Sequence, residues 1–226
     1  QRLEKTFDID SRTGIQALED LDEAGKVYLE TGFDQTGDGA RHAYLPLLYQ
    51  AETGIARRLQ AMLTVTPAPV DNNRFEQMEQ LEDRFAVRLS QEQRAALESV
   101  MNATVSVITG GPGTGKTTLI QCIAEVFASA GFRVCLAAPT GRAARRMSEV
   151  TGKSAHTIHK LLGYHFETRS FDKSPDDPID AGVLIVDEAS MIDADLMYHL
   201  ISATRLDARL ILVGDPNQLP PIGPGR

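Results

Sequence analysis

The chain has 226 residues, 42% of them hydrophobic and 24% charged, which is enough for one well-packed α/β domain and a smaller appendage. No apolar run approaches the roughly 18 residues that a membrane span requires, and two cysteines, Cys122 and Cys135, support neither a disulfide framework nor a zinc site. A net charge of −8 argues against a nucleic-acid partner until its distribution is considered: residues 1–88 carry 10 Lys and Arg against 16 Asp and Glu, whereas within 141–160 five cations face Glu149 alone.

The N-terminal Gln1-Arg2-Leu3-Glu4-Lys5 has neither an initiating Met nor an apolar stretch behind its charges, so it reads as a cut end and not a signal peptide. A reducing cytoplasm is the expected compartment. Ile15, Leu18 and Leu21 recur at helical spacing; Val27-Tyr28-Leu29 and Ala43-Tyr44-Leu45 read as strands around a Gly-rich turn at Thr36 to Gly39; an amphipathic helix follows from Pro46 to Leu63. Helix, hairpin, helix suggests a small winged-helix-like α+β module, either a DNA-guiding element or an acidic structural accessory. Thr66-Pro67-Ala68-Pro69 and Asp71-Asn72-Asn73 break both periodicities, which puts a boundary between residues 1–70 and 71–226. A polar helix is expected from Arg74 to Phe85. Ser90-Gln91-Glu92-Gln93 then supplies a capping-box pattern for a helix running to about Met101.

Beyond it, short apolar runs alternate with helical segments. Val105 to Thr109, Arg133 to Ala138, Val183 to Asp187 and Arg209 to Val213 read as buried parallel strands. Lys116 to Ala130, stopped by Gly131, and Ala194 to Thr204, capped by Asp193, read as helices. Ser170 to Asp180 is acidic and Pro-containing and reads as an exposed loop. The fold class is an open α/β sheet with helices on both faces.

Gly110-Gly111-Pro112-Gly113-Thr114-Gly115-Lys116-Thr117 matches GxxxxGK[ST] between an apolar strand and an amphipathic helix. Such a loop turns backbone N–H groups toward phosphate oxygens, and the helix adds its positive end. Gly111 to Thr118 are therefore the expected ATP contacts, with Lys116 on the β- and γ-phosphates and Thr117 on Mg²⁺. Position 116 is Lys where a dinucleotide-binding GxGxxG needs its third glycine, so that alternative fails. Val183 to Val186 followed by Asp187-Glu188 has the form of a Walker B strand, with Asp187 expected to hold Mg²⁺ and Glu188 to orient and deprotonate the attacking water. An arginine finger is not evident: the arginines fall in the N-terminal part, in the basic segment or beside strands.

Further segments are more specific than a generic P-loop protein requires: Leu89-Ser90-Gln91-Glu92-Gln93, Ala138-Pro139-Thr140-Gly141-Arg142-Ala143-Ala144, Thr157-Ile158-His159-Lys160-Leu161-Leu162 and Gly214-Asp215-Pro216-Asn217-Gln218-Leu219-Pro220-Pro221. With the phosphate loop and Asp187-Glu188-Ala189-Ser190-Met191 they resemble the RecD-like superfamily-one DNA helicases, the family of the exodeoxyribonuclease V alpha subunit. The likeness is close over 89–226 and looser over 15–63.

The resemblance implies a RecA-like P-loop NTPase domain that ends after its third motif, in a helicase or translocase moving 5′ to 3′ on single-stranded DNA in recombination and repair. ATP and Mg²⁺ are the implied cofactors, and helicase or nuclease subunits the implied partners, with no membrane. By the same resemblance Gln93 reads adenine, although as bare sequence it is equally a capping-box residue, and Gln218 senses the γ-phosphate. Thr140, Arg142, Thr157 and His159 fall in segments that contact the strand. Arg142, Arg145 and Arg146 also fit a solvated helix face, His156 a structural role, and Tyr164 and Phe166 either base stacking or hairpin packing. Such motors hold ATP between two RecA-like domains, so a chain with only the first is expected to bind Mg-ATP without unwinding DNA. A P-loop kinase or switch, and an adaptor that keeps the motifs as scaffold, remain the alternatives.

Overall fold

A computed structural model describes residues 10–33, 39–70, 82–83, 85–218 and 220–225. The chain divides into two compact units, residues 1–53 and 54–226. In the first, helix α1 (Ser11–Glu23) is capped by the Asp10 carboxylate, which accepts from the N–H groups of Arg12 and Thr13. Strands β1 (Tyr28–Phe33) and β2 (Gly39–Tyr44) pair antiparallel, with Tyr28 opposite Tyr44. Helix α2 (Pro46–Leu63) begins on a proline, which needs no N–H partner at that position. Tyr49 of α2 stacks on Tyr28 at 3.8 Å between ring centroids. The helix, hairpin, helix order is as expected; the turn residues 36–38 lie outside the described residues.

The Pro-containing stretch expected to separate the two parts lies at 64–70, whereas the compact units divide earlier, at 53/54. Ile55, Leu59 and Met62 of the second half of α2 pack into the core of the second unit. Residues 71–73 and most of the expected helix from Arg74 to Phe85 lie outside the described residues.

The second unit is a five-stranded parallel sheet in the order β3-β9-β8-β4-β5. Its strands are β3 (Val105–Thr109), β4 (Val134–Ala138), β5 (Ala155–Thr157), β8 (Val183–Val186) and β9 (Arg209–Gly214). Around it run α3 (Gln91–Asn102), α4 (Lys116–Ser129), α5 (Gly141–Thr151), the four-residue α6 (Ile158–Leu161) and α7 (Ala194–Ser202). A two-stranded hairpin of β6 (Tyr164–His165) and β7 (Ser170–Phe171) stands apart from the sheet.

Strand periodicity explains why both faces are covered. Val183 and Ile185 belong to one apolar cluster, with Leu97, Ile120, Ile123 and Phe127 of α3 and α4. Leu184 and Val186 belong to another, with Ile158, Leu196 and Leu200 of α6 and α7. Side chains of a strand alternate between faces, so a continuous apolar run has to be buried on both. The expectation of buried strands holds for β4, β8 and β9. It fails for β3, the edge of the described sheet, where Val107 is 67% exposed. Ser170 to Asp180 is an irregular stretch as expected, except that Ser170 and Phe171 form β7 and that Ile179 is buried and donates its N–H to the Ala203 carbonyl.

The buried cation Arg209 fastens the stretch before the parallel sheet to the base of that sheet. Its Nη2 donates to the carbonyls of Ala68 at 2.6 Å and Met101 at 3.1 Å, and its guanidinium carbon lies 5.2 Å from the ring centres of both Phe127 and Phe132. Burial pulls its pKa down from the ordinary arginine value. Truncation would leave two carbonyls without a donor and a void between two rings. Arg209→Ala should therefore cost about 3 kcal/mol of unfolding free energy in urea titrations followed by circular dichroism. A loss below about 1 kcal/mol would show that the residue is not such a fastening.

Candidate nucleotide site

The phosphate loop leaves the C-terminal end of β3 and enters α4. Gly110 donates its N–H to the Gly214 carbonyl at 3.2 Å, tying the start of the loop to the end of β9. Gly113 and Gly115 have φ of +76° and +79°, values an L side chain rarely adopts, so the loop can curl there only because both are glycine. Thr114 closes the turn by donating its hydroxyl to the Gly111 carbonyl at 2.9 Å. The Lys116 ammonium lies across the loop and donates to the carbonyls of Gly110 at 2.6 Å and Gly111 at 2.9 Å.

Asp187 follows the wholly buried β8, and its N–H donates to the Ala137 carbonyl of β4 at 3.0 Å. Glu188 adopts the left-handed conformation, φ +52°, without being glycine. Strain of that kind persists only where surrounding structure enforces it. Its Oε2 is buried and has no hydrogen-bond partner among the described residues. Burial raises the pKa of both carboxyls, and the Asp187 charge raises Glu188 further; Lys116 and Arg146 pull both partly back.

A cleft of about 350 Å³ brings together residues 112–118, Ala143, Arg146, Asp187, Glu188 and Gln218. Gln218 is held by its N–H, which donates to the carbonyl of the buried Asp215 at 3.1 Å. A second cleft of about 350 Å³, sharing Thr114 and Lys116 with the first, is lined by Gln93, Ser90, Ala96 and Ile108. Of the expected phosphate contacts, Pro112, Gly113, Thr114, Gly115, Lys116, Thr117 and Thr118 thus share one cleft with the acidic pair. Gly111 instead supplies a carbonyl to Lys116.

The capping box opening α3 is complete: Ser90 Oγ accepts from the Gln93 N–H, and Gln93 Oε1 accepts from the Ser90 N–H. Gln93 Nε2 also donates to the Thr114 carbonyl at 2.9 Å, so this side chain buttresses the phosphate loop from outside.

Thr140 and Thr157 lie at the C-terminal ends of the neighbouring strands β4 and β5, and both cap helices: Thr140 Oγ1 accepts from the Ala143 N–H and Thr157 Oγ1 from the Lys160 N–H, each at 3.2 Å. Arg142 and His159 are exposed. The His159 ring packs edge-on against Tyr164 at 5.2 Å, and Tyr164 meets Phe171 and Phe166 in the hairpin, so Tyr164 takes the packing alternative, while Phe166 is 85% exposed. Thr140, Arg142, Thr157 and His159 are all absent from both clefts. Sequence reading assigned no arginine to the nucleotide cleft, yet Arg146 lines it. Helical spacing gave no signal for it, because Arg142, four residues earlier on the same side of α5, does not line the cleft.

The site has the donor set for a nucleotide and its metal. Among the described residues no group of three His, Cys, Asp or Glu side chains could hold a metal ion. A magnesium ion at Thr117 and Asp187 would therefore need further oxygens, which phosphates and water provide.

Comparison with known proteins agrees with this geometry. A family model described as AAA domain matches residues 93–224, more than half of the chain. The chain belongs to the AAA domain family. It is 40% identical over 196 residues to the ATP-dependent RecD2 DNA helicase of Deinococcus radiodurans, covering 84% of this chain and 26% of that protein. It is 40% identical over 159 residues to the RecBCD enzyme subunit RecD of Mycolicibacterium smegmatis (60% of this chain, 29% of that protein). With the Mycobacterium tuberculosis subunit of the same name it shares 36% over 209 residues (82% and 35%). The chain thus spans between a quarter and about a third of the length of these relatives.

The acidic pair yields a stability test in the chain free of nucleotide and metal. The folded-state pKa of Glu188 is raised, so the carboxylate costs stability above that value, and the cost is absent below the ordinary glutamate range. Glu188→Gln should raise the melting temperature at pH 7 by about 2–4 °C, a modest gain because solvent screens the partly exposed pair. That gain should fade as the pH falls through the raised value. A gain that persisted in acid would show that charge is not its source.

Proposed function

We propose that residues 54–226 are the nucleotide-binding motor domain of an ATP-dependent DNA helicase of the RecD kind, preceded by a small accessory unit. One observation carries this reading: the phosphate loop, the acidic pair and Gln218, drawn from three separate strand ends, line a single cleft. The RecD relatives support the substrate class. The wider role follows from them: translocation 5′ to 3′ on single-stranded DNA, in recombination and repair, in company with other helicase or nuclease subunits. The free thiols of Cys122 and Cys135 suit a reducing cytoplasm, and no helix of the described residues is long and apolar enough to cross a membrane.

Bound ATP and magnesium would supply the transferable γ-phosphoryl group and the charge that makes it reactive. The protein's part is positioning and electrostatics. Loop amides and Lys116 hold the phosphates, the ammonium exchanging two carbonyl acceptors for phosphate oxygens. Thr117 and Asp187 supply the protein's oxygens to the metal. Glu188 orients a water molecule and takes its proton; the raised pKa improves its strength as a base, and its unpartnered Oε2 is the free acceptor. Gln218 reports the terminal phosphate, Gln93 faces the adenine, and Thr140, Arg142, Thr157 and His159 hold the strand's phosphates without reading bases.

ATP hydrolysis by the whole protein, measured with and without oligo-dT, tests the reading. Single-stranded DNA should stimulate turnover, and Lys116→Ala should lower it by at least about 100-fold. Hydrolysis indifferent to DNA, with the phosphoryl group passed to a small acceptor, would favour the kinase alternative. Undiminished turnover in Lys116→Ala would remove the phosphate-site assignment.

A further inference from the structure

We propose that Arg146 is a phosphate-facing cation of the nucleotide cleft, placed to contact the terminal phosphate of a bound triphosphate, and that Arg142 and Arg145 serve a different surface. The inference rests on the nucleotide-site reading above and assigns it a further binding residue.

The three arginines of α5 look alike in sequence, but of the three Arg146 alone lines the cleft. Ala144 and Met147 are buried and fix the inward side of the helix. Ala143 and Arg146, three apart and therefore on one face, line the cleft together with Lys116, the acidic pair and Gln218. All three arginines are exposed, yet Arg142, one turn before Arg146 on the same side of the helix, and Arg145 line neither nucleotide cleft.

Arg146 is also uncommitted. Among the described residues it makes no hydrogen bond and no ion pair, whereas nearby Lys153 is paired with Glu125 at 3.1 Å. The other cation of the cleft, Lys116, is engaged with two loop carbonyls. Arg146 lines the same cleft as Asp187 and Glu188 and does not line the second cleft beside Gln93. An unpaired guanidinium beside two carboxylates and a phosphate loop is suited to an anion it can grip with two parallel N–H groups, and a terminal phosphate offers those oxygens. A diphosphate lacks that outermost group, so the contact should distinguish the two nucleotides.

Isothermal titration of the chain with Mg-AMP-PNP and, separately, Mg-ADP tests this. Arg146→Ala should weaken AMP-PNP by about tenfold, the scale of one charge-assisted contact, and ADP by less than about twofold. Arg146→Lys should recover part of the loss, and Arg145→Ala should leave both affinities unchanged. ADP binding by Arg146→Ala doubles as its folding control, and Arg146→Gln gives the same comparison if the alanine variant fails to fold. Equal losses for both nucleotides, or none for either, would overturn the role of Arg146, provided that Lys116→Ala abolishes binding of both. If Lys116→Ala binds as the wild type does, or the wild type binds neither nucleotide, the nucleotide site itself is refuted and this proposal with it.

Discussion

Parallel pairing is the constraint on which the rest of this molecule depends. Strands that run the same way deliver all their C-terminal ends to one edge, and the polar segments that follow them must meet there. The register places Thr109 of β3 beside Gly214 of β9, Val186 of β8 beside Leu212 of β9, and Val186 also beside Ala137 of β4. The bond from the Gly110 N–H to the Gly214 carbonyl and that from the Asp187 N–H to the Ala137 carbonyl carry the pairing past the strand ends. Residues as distant in sequence as Lys116, Glu188 and Gln218 therefore line one cleft without a loop having to reach for them. The apolar alternation of β8 and β9 holds the edge rigid, because each side chain has a filled layer to pack against on its own face.

That rigidity sustains an arrangement that is unfavourable taken alone. Two adjacent carboxyls with raised pKa values, a non-glycine residue in the left-handed conformation and a buried oxygen without a partner each cost stability. Lys116 offsets part of the charge while satisfying itself on the loop's own carbonyls. The site is thus set against its surroundings in the sense expected of a ligand-binding surface.

How much of this could be read from sequence depended on whether chemistry or length was the signal. The phosphate loop was legible because its glycines run directly into Lys116 and Thr117 between an apolar strand and an amphipathic helix, and β8 because four apolar residues end in two acids. Strand β5 was not, since Ala155-His156-Thr157 is short, mixed in polarity and only half-buried, and it forms by extending the sheet beyond β4. The hairpin β6–β7 is shorter still and is fixed by the contacts of Tyr164 with Phe171, which lie outside any periodicity. For Arg146 neither composition nor helical phase gave a signal, because Arg142, four residues earlier, shares its side of α5 and lines neither cleft. The end of α4 fell one residue short of the expected Ala130 and that of α7 two short of Thr204, because Ala130 and Ala203 act as C-caps.

Gln93 shows why capping and recognition need not compete. A carboxamide has two lone pairs on oxygen and two hydrogens on nitrogen. The Ser90 N–H occupies one lone pair and the Thr114 carbonyl one hydrogen. One acceptor and one donor are left, and an adenine edge asks for that combination. The same two bonds hold the amide plane against rotation, so the cap that starts α3 fixes the orientation in which the remaining pair would be presented, next to the cleft lined by Ala96 and Ile108. A side chain that looked divided between two roles in sequence is, by this count, able to perform both, the structural bonds supplying the preorganisation on which base recognition depends.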